Sequence, residues 1–203
     1  MVRALEWLSG KAMTAAGWCY LLITLLICFD IVARRLLGFS TEATIEMTGY
    51  LMAVGMSWGL AGTLFERGHV RIDVLVQKLP LKIRVWLHLA ALAALLVASG
   101  FFVYGALSLV RDSYTFHATD LSTLHVPLII PQGLWAAGIV LLLLAVVAIA
   151  ARALRQLATG EAEAMDGMLT ARTYVEEADE TLEAVAGSQK DATPAPAALR
   201  SAS

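Results

Sequence analysis

The chain has 203 residues, of which 59% are hydrophobic and only 16% charged, with a formal net charge of −2. Such a composition leaves too little polar material for a second globular domain of any size, and its charge pattern calls for no nucleic-acid partner. Cys19 and Cys28 stand nine residues apart in one apolar run, neither a CxxC nor a zinc spacing, and read as packing residues.

Four apolar runs follow one another along the chain: Ala12–Ala33, Met47–Phe65, Val85–Val110 and Val126–Ala151. Each is close to or above the ~20 residues a helix needs to cross ~30 Å of hydrocarbon. An all-α, polytopic membrane protein with four transmembrane helices is the expected fold class. The first run follows Arg3 and Lys11 but ends in Asp30, Arg34 and Arg35 with no small-residue cleavage site, so it reads as a retained helix rather than a signal peptide. Asp30 is the only acidic residue in that run and lies four residues before Arg34. This spacing permits an ion pair, and its place near the helix end favours an anchoring pair over an ion-coupling carboxylate.

A short connection follows, in which Gly38 breaks the helix and Ser40 or Thr41 caps the next one. Glu42 and Glu46 complement the dipole at its start. The second run contains Gly55-x-x-x-Gly59, a spacing that lets another helix approach closely in lipid. The loop after it, Glu66–Leu75, is the most distinctive stretch. Gly68 suits a turn, and Val70, Ile72 and Val74 alternate with Arg71 and Asp73 before Leu79-Pro80 closes the segment. The third run, 26 uncharged residues, is long enough to tilt or project, and Pro127 and Pro131 mark the start of the fourth.

Nine Lys/Arg residues (Arg3, Lys11, Arg67, Arg71, Lys78, Lys82, Arg84, Arg152 and Arg155) flank one side of this layout. Only Arg34, Arg35 and Arg111 flank the other, which places both termini in the cytoplasm by the positive-inside rule. Trp7, Trp86 and Trp135 fall near the expected interfaces. The domain reading is a four-helix transmembrane unit over residues 1–157 and an acidic cytoplasmic tail over 158–203. That tail carries 3 Lys/Arg against 9 Asp/Glu beyond Arg155 and is disordered from about Ser188 onward. Truncation after Arg155 is expected to leave assembly intact.

No run carries Asp, Glu, Lys or Arg at its middle, which argues against a translocation path formed by this chain alone. His88 and His125 fall at opposite ends of the layout and cannot bracket one haem, while His69 and His117 lie in loops. With no hydrolase triad, phosphate loop or metal-ligand spacing, neither an enzyme nor a resident cofactor is expected. The residues alone leave open a chain that works with another membrane protein, a self-associating channel or small carrier built on the Gly55/Gly59 face, and, third, a haem-bearing anchor.

Three stretches carry a further resemblance: Asp30-Ile-Val-Ala-Arg34-Arg35-Leu-Leu-Gly38, Glu46-Met-Thr-Gly-Tyr50, and Gly68-His69-Val70-Arg71-Ile72-Asp73 with Leu79-Pro80. Together with Pro127-Leu-Ile-Ile-Pro131-Gln-Gly133, they resemble the small permease subunit of tripartite ATP-independent periplasmic (TRAP) transporters over about residues 12–155. The tryptophan that the family often has just before the acidic residues of span two is missing here, with Ala43 and Ile45 near its place. The resemblance implies a non-catalytic inner-membrane scaffold, in contact with membrane lipid, that pairs with a large multispanning permease. It also implies a periplasmic solute-binding protein that delivers an organic acid or similar solute for sodium-driven uptake. Under it, Arg34 and Glu46 fix the hairpin between spans one and two, and Gly68, His69, Arg71 and Asp73 shape the inner turn.

Overall fold

The computed structural model describes residues 2–39, 43–66, 79–120, 125–169, 181, 182 and 185. Its elements are α1 (Val2–Leu36), α2 (Ala43–Phe65), α3 (Leu81–Thr115), α4 (Ile129–Ala158) and a short α5 (Ala162–Leu169). Helices are what such a sequence must form in lipid, because apolar surroundings offer the backbone no hydrogen-bond partners and a helix satisfies them within the segment.

Among the described residues, three helices are long and apolar enough to cross a membrane: Arg3–Leu36, Leu81–Thr115 and Ile129–Ala158. The 23 residues of α2 would also reach across ~30 Å. Its apolar character is diluted, however, by Thr44, Thr48, Ser57, Thr63 and four glycines. The structure shows where much of that small and polar content goes. Gly55, Ser57, Ala61, Gly62 and Leu64 are the buried positions of α2, turned toward neighbouring helices. At 35 residues each, α1 and α3 are about 52 Å long, well beyond the hydrocarbon core, so they tilt or project from it.

In space α1 lies beside α2, α2 beside α4, and α4 beside α3. The chain is thus two helical hairpins joined through α2 and α4, with α1 and α3 on the flanks. Burial follows the same order: 39% of the apolar window of α4 is buried, against 11% in α1 and 17% in α3. The core joins Ala61 and Leu64 of α2, Val85 and Leu92 of α3, and Leu142, Ala145, Val146 and Ala153 of α4. Arg152 donates to Glu6 at 3.1 Å, so the start of α1 and the end of α4 share one end of the molecule. We call it the terminal end, and the opposite one the distal end.

At the distal end α3 closes with the Ala118 N–H on the Ser113 carbonyl and the His117 N–H on that of Tyr114, His117 taking a positive φ of 49°. Thr119 then pairs with Pro127, and the Asp120 and Leu128 N–H groups donate to Val126 and Ala118 at 3.0 Å. At the terminal end α4 stops by the same device. Gly160 takes φ +79°, and the Glu161 and Gly160 N–H groups return to the carbonyls of Gln156 and Leu157.

That turn sends α5 back against α3 and α4, where Met165 is fully buried and Leu169 nearly so. The compact unit therefore runs from Met1 to Thr170, and the boundary read at 157/158 falls inside it. Beyond Arg155, Met165 and Leu169 of α5 belong to the same apolar core, so truncation there would uncover part of it. A second unit spans Ala171–Ser203, of which Thr181, Leu182 and Val185 are described, all helical. The disorder expected from Ser188 onward lies outside the described residues.

Candidate functional site

At the distal end polar side chains hold the hairpins in register. Asp30 is 8% exposed and accepts a hydrogen bond from the Arg34 guanidinium at 2.9 Å, the i,i+4 pair its spacing foretold. Glu46 lies in the first turn of α2 and has one buried carboxylate oxygen without a hydrogen-bond partner among the described residues. Four residues on, the Tyr50 phenol donates to the Asp120 carboxylate, which ties α2 to the connection between α3 and α4. The Ser113 hydroxyl meets Gln132 Oε1 at 2.5 Å and joins α3 to α4. Tyr50 and Asp120 escape a sequence reading because they are 70 positions apart and no spacing rule links them.

In the apolar middle the small residues of α2 face α1. A Cβ built at Gly55 would stand 3.3 Å from Tyr20 and 3.4 Å from Cys19, and one at Gly59 would stand 3.9 Å from Ala16. At Gly62 it would stand 2.9 Å from Met13. These antiparallel contacts occupy the Gly55/Gly59 face with a helix of the same chain. A second copy could reach that face only by displacing α1.

A tighter contact than at these three glycines lies between α2 and α4 and involves a glycine that its sequence context does not mark. A Cβ at Gly138 of α4 would come within 2.5 Å of Ser57 Oγ, 2.6 Å of the Trp58 ring and 2.7 Å of the Ser57 carbonyl carbon. In the space left free, the Trp58 indole N–H donates to the Leu134 carbonyl at 2.8 Å.

At the terminal end Arg84 grips Asp166 of α5 with two nitrogens, its Nε at 2.6 Å from one carboxylate oxygen and a terminal nitrogen on the other. His88 Nε2 lies 3.4 Å from the same carboxylate. Asp166 and His88 are each 6% exposed. Asp166 was legible only as one acid among several in the tail; its partners lie about 80 residues upstream. Gly68, His69, Arg71 and Asp73 lie outside the described residues, as do Ser40, Thr41 and Glu42. Among the described residues no group of His, Cys, Asp and Glu is arranged to hold a metal ion. Tyr50–Asp120, Ser113–Gln132 and Arg84–Asp166 each tie one helix to another segment.

Residues 23–156 match the family described as DctQ, the DctQ component of tripartite ATP-independent periplasmic transporters. No curated protein and no solved structure matches the chain. The matched stretch begins three fifths of the way along the first helix and ends before α5, so Asp166 and the first turns of α1 lie beyond it.

Proposed function

Because the chain belongs to the DctQ family of TRAP transporter components, we propose that it is the small scaffold subunit that braces a large multispanning permease in the bacterial inner membrane. It is an integral membrane protein of a transporter family, not of an enzyme family. In this reading α2 is the fourth span and both termini are cytoplasmic, so the distal end faces the periplasm. A periplasmic binding protein supplies an organic acid or similar solute, and the large permease moves it with sodium.

One observation carries the scaffold role. The described helices expose broad apolar faces, with Val97, Phe101 and Tyr104 of α3 each more than 70% exposed and Leu21, Leu25, Phe29 and Val32 aligned on α1. At the same time no charged residue stands at the middle of any apolar run. A subunit with wide contact surface and no ion site of its own supports a partner that has one. That α1 of the same chain packs on the Gly55/Gly59 face supports this reading over a channel built on self-association there.

Affinity purification in mild detergent, followed by mass spectrometry, tests this reading. It should recover one large permease at near-equal stoichiometry, whereas recovery of this chain alone as a stable oligomer would overturn it. Arg34→Ala removes the guanidinium that pairs with the buried Asp30 and should lower the yield of assembled complex several-fold without changing solute preference. A changed preference with normal assembly would count against the scaffold role.

A further inference from the structure

Between α1 and α4, with Trp58 of α2 as its floor, lies an apolar groove of about 360 Å³. Its walls are one stripe of each helix. Leu8, Lys11 and Ala12 are spaced i, i+3, i+4 on α1, and Ala137, Val140, Leu141 and Leu144 keep helical spacing on α4. Lys11 is the charged residue of this lining, and it precedes the apolar run Ala12–Ala33, where a helix leaves hydrocarbon for water. Its ammonium lies 5.9 Å from the Trp7 ring, a residue 66% exposed. Among the described residues no carboxylate lies within ion-pairing distance of Lys11; the neighbouring acid, Glu6, is engaged by Arg152.

We propose that this groove is a binding site for an anionic phospholipid, one acyl chain lying along Ala137, Val140, Leu141 and Leu144 with the headgroup phosphate at Lys11. Charge complementarity names the occupant. Lys11 is exposed and borders the groove, and a lysine so placed lays its stem on an apolar wall and offers its ammonium to a headgroup above a buried chain. A helix of a partner protein would fill the apolar part equally well but would leave the ammonium without an anion. The volume lies at the small end of the range for ligand pockets of ~300–1,000 Å³, suited to a single chain. The inference rests on the membrane reading but not on the scaffold role, and Leu8, Lys11 and Ala12 lie before the stretch that matches the DctQ family.

The test is native mass spectrometry of the full chain, purified in mild detergent and offered equal amounts of phosphatidylglycerol and phosphatidylcholine with identical acyl chains. The chain should retain phosphatidylglycerol in preference. Lys11→Ala should reduce that preference about fivefold, the factor that ~1 kcal/mol per basic residue represents, and Lys11→Arg should keep it. Ala137→Phe, which fills the groove from an exposed position, should lower retention of both lipids. Equal retention of the two lipids by the unsubstituted chain, or an unchanged preference in Lys11→Ala, would overturn the site. A photocrosslinker at position 144 in the native membrane adds an independent readout: a lipid adduct supports the proposal, and an adduct to another polypeptide overturns it. Recovery of the large permease is scored separately, so a failed lipid site and a failed scaffold role are told apart.

Discussion

Asp166→Ala should release α5 from α3 and α4 while leaving the long helices folded. The carboxylate is 6% exposed and is held by both sides of the Arg84 guanidinium, with His88 beside it. Removing one member of a fully buried pair costs roughly 3–5 kcal/mol, mostly because the other charge is stranded. Arg84 keeps 23% of its side-chain exposure and can turn partly to water, so a cost of about 2–3 kcal/mol is the better expectation. Eight residues form no stable helix alone. The segment therefore stays docked only as long as Met165, Leu169 and the ion pair hold it together. Hydrogen exchange should show residues 162–169 passing from protected to fast exchange, with α3 and α4 little changed. Met165→Ala should do the same through lost apolar burial, at about 2–5 kcal/mol. Replacing both charged partners together, Arg84→Met with Asp166→Leu, should restore much of the protection, since well-packed apolar residues often substitute for a buried pair without loss. Exchange unchanged in Asp166→Ala would mean that the ion pair contributes nothing to docking.

The same segment shows where the sequence stops being informative. Long apolar runs declare four helices, because a run of some twenty apolar residues has few other uses, and three of them are long and apolar enough among the described residues to cross a membrane. The Asp30–Arg34 pair is equally legible, since both groups lie on one helix and its geometry sets their distance. Asp166 is different. Its chemistry depends on Arg84 and His88, which a hairpin and a turn at Gly160 bring to it, and no local pattern encodes that meeting. A weaker signal was present: Gly160 just after a helical run, followed by Met165 and Leu169 four apart, has the form of a helix stop and a short amphipathic return. Tyr50 and Asp120 follow the same logic at the distal end. In α2 the small residues that dilute its apolar character are those that let α1 and α4 pack against it.

Gly138→Leu should separate α2 from α4 and abolish the well-folded chain, and even Gly138→Ala should destabilise it markedly. Alanine is ordinarily better than glycine inside a helix by ~0.8–1.0 kcal/mol, so the sign of the effect is itself diagnostic. At position 138 a methyl group would stand 2.7 Å from the carbonyl carbon of Ser57. Backbone of a packed helix cannot turn aside as a side chain can, and the Trp58 ring blocks the neighbouring direction at 2.6 Å. Overpacking of this kind costs about 1–3 kcal/mol for small additions and more when helices must part. The displaced Trp58 would also lose its bond to the Leu134 carbonyl, a further ~1 kcal/mol. Gly59→Ala places its methyl 3.9 Å from Ala16, an ordinary contact, and should be neutral or slightly stabilising. Gly133→Ala, with nothing within 4 Å, should behave likewise. Gly55→Ala falls between them, its neighbour at 3.3 Å being the edge of the Tyr20 ring. Thermal unfolding of the purified variants, followed by size-exclusion chromatography, would order them: Gly138→Leu below Gly138→Ala, then Gly55→Ala, then Gly59→Ala with Gly133→Ala. If Gly59→Ala proves the damaging change and Gly138→Ala the neutral one, the α2–α4 contact is not the tight seam described above. The Gly-x-x-x-Gly spacing would then have to be satisfied by something other than α1.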